Sequence, residues 1–168
     1  LNRIVNYYDE REKEWRNDPV ALRELRQKTE TEQQPKAKEI MKIALACCGD
    51  RTNELELIEI IGRKEEPTVR CFTIEALGNN GCYAAIPALV ALLGDPYEIP
   101  AGCIRMSGED TEFPVREYSA RALRRLGVTV NGPKSGKYEV DQRSLRTVME
   151  RTTAEPGAAP LPRAPQPG

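Results

Sequence analysis

Apolar residues recur along the middle of the chain at helical spacing, and the same seam is written twice. Residues 37–62 lie over residues 69–94 without a gap. Ala44-Leu45 falls on Ala76-Leu77, Leu57 on Leu89, Ile60-Ile61 on Leu92-Leu93, and Gly62 on Gly94, each at an offset of 32. A third copy begins at Val115, where VREYSARAL at 115–123 repeats VRCFTIEAL at 69–77 with an offset of 46. The 14 extra residues fall between Gly94 and Val115, so about 97–110 is an insertion between the second and third units. Within a unit the pattern predicts two helices. Val69, Thr73, Ala76 and Leu77 share one helical face, with Pro67 at its start. Gly78-Asn79-Asn80-Gly81 stops that helix, and Ile86, Leu89, Leu92 and Leu93 mark the next, ended by Gly94-Asp95-Pro96. Such a pair cannot bury its apolar stripe alone, which is why the unit repeats.

These residues carry a family resemblance. Val69-Arg70 through Ala76-Leu77-Gly78, then Ala85-Ile86-Pro87-Ala88-Leu89 and Leu92-Leu93-Gly94-Asp95, resemble a HEAT-like repeat of the short form named after phycobilisome lyases. Val115-Arg116 to Gly127 resembles the first half of another. The first unit departs from the pattern, with Ala37-Lys38 for Val-Arg and Ala46 for the glycine. The resemblance implies an all-α fold, an α–α superhelix of HEAT-like, armadillo-like helical type. It implies a binding scaffold in most cases and a bilin lyase or chromophore chaperone in a minority. It also implies a structural arginine at Arg70 and Arg116, bonded to loop carbonyls or to an aspartate, with Asp95 as a candidate partner.

The flanks read as covers for this stack. Residues 1–35 predict an N-terminal helical cap: Ile4, Tyr8 and Trp15 can share a face, and Asp18-Pro19 starts a second helix with Asp18 as N-cap. The repeats fill 36–127, as 36–62, 67–94 and a partial 114–127. Residues 128–153 predict a C-terminal cap. In it Val128–Val130 and Tyr138–Val140 flank the turn signal Asn131-Gly132-Pro133 as a small hairpin, and Asp141 caps a helix over 142–151. Residues 154–168, rich in Pro, Ala and Gly, read as a disordered tail.

Composition narrows the function. Charged residues make up 30% and hydrophobic ones 39%, which suits a thin, well-solvated stack. The net charge of −1 hides a division: residues 1–113 carry 15 Lys/Arg against 21 Asp/Glu, and 114–168 carry 10 against 5. No run is long enough to span a membrane. The first residue is Leu1, so a processed form, a fragment and an unusual start all stay open. Five cysteines, Cys47, Cys48, Cys71, Cys82 and Cys103, cannot all pair and do not resemble a secreted framework, which favours a reducing, cytoplasmic setting over an extracytoplasmic one. No histidine is present, which removes Ser-His-Asp and Cys-His catalysis and every His-containing zinc site. The expected cofactor is none, no metal is expected, and no catalytic residue is nominated.

The residues nominated for function therefore form a surface. With Leu57, Ile60 and Ile61 inward, Glu56, Glu59 and Arg63 point out, and their counterparts are Ala88, Ala91 and Asp95. Resemblance to HEAT solenoids implies that these second helices line the concave face. Glu56, Glu59, Ala88 and Ala91 are joined by Tyr97, Ile99, Ile104, Arg105 and Met106 of the insertion, since loops on rigid scaffolds carry function. The expected partner is another protein. The basic residues Arg116, Arg121, Arg124, Arg125, Lys134, Lys137, Arg143, Arg146 and Arg151 supply the nucleic-acid alternative, for which only Tyr118 and Tyr138 offer stacking rings.

Overall fold

A computed structural model describes residues 18–63, 67–99, 113–134 and 136–154. Among these are seven α-helices, one short 3-10 turn and one β-hairpin. The helix α1 (Pro19–Thr31) starts on Asp18, whose carboxylate accepts the N–H groups of Val20 and Ala21 at 2.9 and 3.2 Å. Unit one is α2 (Pro35–Cys47) and α3 (Glu54–Gly62). Unit two is α4 (Pro67–Asn79), a 3-10 turn at Tyr83–Ala85, and α5 (Ile86–Leu92). Unit three opens with α6 (Pro114–Arg125). In place of a second helix comes a hairpin of β1 (Val130–Lys134) and β2 (Lys137–Val140), followed by α7 (Gln142–Ala154). The predicted first N-terminal helix, around Ile4, Tyr8 and Trp15, and the predicted tail lie outside the described residues.

The first helices stack in order, α2 on α4 and α4 on α6, while α3 packs on α5 beside them. Each second helix packs more closely on the first helix of the following unit than on its own partner: α3 on α4, and α5 on α6. A hairpin removed from the row would thus lose most of its cover. One core runs through the whole stack, from Ile43 and Leu57 through Ile74, Leu77 and Leu89 to Leu123, Leu126 and Val130. Each such side chain contributes about 1.5–3 kcal/mol by leaving water. Leu25, with Ala44 and Leu45, forms a smaller cluster that seats α1 on α2. At the other end Leu145, Val148 and Met149 of α7 lie against the main core.

The three first helices end in the same way. In α2, α4 and α6 the closing turn has a glycine with positive φ, at Gly49 (93°), Gly81 (67°) and Gly127 (87°). The N–H groups of Cys48, Gly49 and Asp50 donate to the carbonyls of Ala44, Ala46 and Leu45. The same three bonds recur at Asn80, Gly81 and Cys82, and again at Leu126, Gly127 and Val128. This double-bonded C-cap satisfies carbonyls that the helix leaves open, and a side chain at the left-handed position would be strained. The sequence places the stop of the second of these helices across Gly78-Asn79-Asn80-Gly81. Within that stretch Gly78 and Asn79 are still helical, and the stop is Gly81.

Gly78 has a different duty. A Cβ there would sit 2.8 Å from both Cα and Cβ of Ala122, so the bare backbone is what lets α4 meet α6. Ala122 is the third-unit counterpart of Ala76, and what it meets is the glycine on the first helix of the preceding unit.

Candidate functional site

Two arginines fix the seams between units. Arg70, buried, donates from Nε to the Ile61 carbonyl at 2.9 Å and from Nη2 to the Asp95 carboxylate at 2.6 Å. It therefore ties the end of α3 in unit one to the turn that closes unit two. Arg116 donates from Nε to the Asp95 carbonyl at 2.6 Å and from Nη1 to the Gly136 carbonyl at 2.9 Å. Its guanidinium lies 3.9 Å from the centre of the Phe113 ring. Each arginine thus holds the end of the preceding unit's second helix with one nitrogen and its own unit with another. Asn80 adds a third tie, its side-chain amide donating to the Ala46 carbonyl at 2.8 Å.

The outward face of the second helices is mostly small and apolar. On α3 the exposed residues are Leu55, Glu56, Glu59 and Gly62, and on α5 they are Pro87 and Ala91, with Gly94 just beyond. In repeat register these fall as the rows Leu55–Pro87, Glu59–Ala91 and Gly62–Gly94. Leu55 is 76% exposed, the largest value for any bulky apolar side chain among the described residues. It was not nominated from the sequence, yet its position is readable there, two residues from inward-facing Leu57 on a helix of 3.6 residues per turn.

Several nominated residues stand differently in the structure. Glu56 is exposed but engaged by Lys42, and its neighbours Glu54 and Glu39 pair with Arg51 and Arg63. Of the two carboxylates expected to point out, Glu56 is therefore paired, and Glu59 has no partner among the described residues. Asp95, counted among the outward positions as well as the structural ones, is buried on Arg70. Ala88 is half-buried against the core, and Ala91 is open. Tyr97 is exposed, its N–H held by the Asp95 carboxylate at 3.0 Å, and Ile99 is half-buried. Ile104, Arg105 and Met106 lie outside the described residues, as does Cys103.

The basic C-terminal region is also partly occupied. Arg124 donates to the Val130 carbonyl at 3.1 and 3.0 Å, Arg125 pairs with Glu75 at 3.3 Å, and Arg121 pairs with Glu117 at 3.1 Å. The Tyr138 hydroxyl donates to Glu117, and Arg121 lies over the Tyr118 ring. Arg143, Arg146 and Arg151 face outward on α7.

Cys48, Cys71 and Cys82 are buried. Burial pushes the Cys71 thiol up to about 12, and burial with the nearby Glu54 carboxylate pushes Cys82 up to about 11. Thiols so placed stay protonated and unreactive near neutral pH. Among the described residues no group of three or more His, Cys, Asp or Glu could hold a metal ion. No described helix is long and apolar enough to cross a membrane.

Comparison with known proteins gives one match. Residues 69–95 match the family model of the PBS lyase HEAT-like repeat, a span that runs from the start of α4 through the Asp95 turn. No curated protein and no solved structure matches the chain.

Proposed function

We propose that this HEAT-like repeat protein is a non-catalytic protein-binding module, curved as a short superhelix, whose partner seats on the outward face of α3 and α5. The observation that carries the reading is the exposed row of Leu55, Pro87, Ala91 and Gly94 beside Glu59, which has no partner among the described residues. Stacked repeats make one continuous surface from many helices, and such surfaces serve recognition. An exposed leucine with small neighbours fits an apolar anchor from a partner, ringed by polar contacts. Tyr97 and Ile99, at the start of the insertion, extend this surface beyond the end of α5.

The test is recovery of partners from the native host on the tagged full chain. Leu55→Asp combined with Ala91→Arg is expected to abolish recovery of partners that the unaltered chain retains, with helicity unchanged by circular dichroism. Retention of the same partners by the variant would refute this surface. A bilin-lyase-like role is not favoured; it predicts an absorbance shift on mixing with a free bilin. Nucleic-acid binding has less support than the sequence suggests, because Arg116, Arg121, Arg124 and Arg125 are engaged within the chain.

A further inference from the structure

The hairpin has one closed edge and one open edge. Val130 pairs with Val140 and Asn131 with Glu139, and the Asp141 N–H donates to the Thr129 carbonyl at 2.9 Å. Facing residues in an antiparallel pair alternate between bonded and non-bonded. Residues 137, 139 and 141 therefore turn their backbone groups toward β1, and Tyr138 and Val140 turn theirs away. The outer edge of β1 is covered, since its Val130 and Gly132 carbonyls accept from Arg124. Along β2, no described group bonds the outward N–H and C=O of Tyr138 and Val140. Unpaired edge groups of this kind are a template for another strand.

The side chains on this edge select the strand. Lys137 and Glu139 share the exposed face of β2, while Tyr138 and Val140 turn inward. In an antiparallel pairing of β2 with its own copy, centred on Tyr138, each Lys137 lies directly across from a Glu139. Two-fold symmetry makes that contact twice, and opposite charges directly across a ladder are favourable while like charges are not. Among the described residues neither has an ion-pair partner within its own chain. We infer that β2 pairs with β2 of a second copy, forming a four-stranded sheet across a two-fold axis. This interface uses different elements from the α3–α5 surface and does not depend on it. A four-residue edge is small beside the area that a stable complex buries, so the dimer is weak and concentration-dependent.

The charges make the test self-checking. Sedimentation equilibrium of the full chain over a concentration series is expected to show a monomer–dimer equilibrium. Glu139→Lys alone, and Lys137→Glu alone, each set like charges opposite one another and are expected to weaken association about tenfold. Mixing the two variants in equal amounts pairs Lys with Glu at both contacts and is expected to restore it. Both side chains are exposed, so circular dichroism is expected to be unchanged. A monomer throughout the series, a dimer indifferent to either single reversal, or a mixture no stronger than its components would each overturn the inference.

Discussion

Asp95 does two jobs through one residue: its carboxylate holds Arg70 and its carbonyl holds Arg116. Both partners of the Arg70–Asp95 pair are buried. Removing one member of a buried pair strands the other charge, so Asp95→Ala is expected to cost about 3–5 kcal/mol in urea unfolding. Asp50 tests a different balance. Burial pushes its carboxyl up, but bonds from the Thr52 N–H at 2.7 Å and Arg26 Nε at 2.6 Å outweigh that, and the group titrates below its ordinary value. The folded state then binds this proton less readily than the unfolded state. The carboxylate stabilises the fold above the ordinary carboxylate value, and that contribution is lost as pH falls through the depressed one. Asp50→Asn is expected to flatten the acid limb of stability measured by urea midpoint from neutral pH downward. The arginines were visible in the sequence because Arg70 and Arg116 share a repeat position. Their acceptors at Ile61 and Gly136 were not, because a backbone carbonyl has no residue type to betray it. The pairing of Glu56 with Lys42 was hidden for another reason: it joins two helices fourteen residues apart, and the facing of α2 and α3 is set by packing.

At the scale of the helices, glycines of one composition serve opposite ends. Alanine is ordinarily the better helix former by about 1 kcal/mol. Gly62→Ala, with nothing within 4 Å of the new methyl, is expected to follow that rule and hold or raise stability. Gly78→Ala is expected to break it, lowering stability by about 1–3 kcal/mol as α4 is forced from Ala122. Thermal melts of the two variants side by side give opposite signs. Gly81→Ala, at positive φ in the closing turn of α4, is expected to cost about 1–2 kcal/mol. Helix existence was legible from period and caps. The recurrence of Gly49, Gly81 and Gly127 at the same two offsets as the apolar seam was equally present in the sequence. The site of closest approach was not, because it depends on which helix faces which.

Across the described residues, the apolar core runs from unit to unit, and different elements pack on its two ends. Helix α1 packs on one end of the described stack through Leu25, and the hairpin with α7 packs on the other. Truncation after Asp141 removes Leu145, Val148 and Met149 from the core surface. It is expected to lower the melting midpoint and to create binding of an apolar dye that the full chain lacks. The hairpin was readable from its turn residues. The exchange of a second helix for strands was foreshadowed by the loss of period after Gly127.

The insertion enters where one unit hands over to the next, with Arg116 gripping the chain on both sides through Asp95 and Phe113. That junction is a natural splice point. Lengthening the row by a duplicated module fits there, inside the array, because the outward residues of α7, among them Arg143, Arg146 and Thr147, are polar.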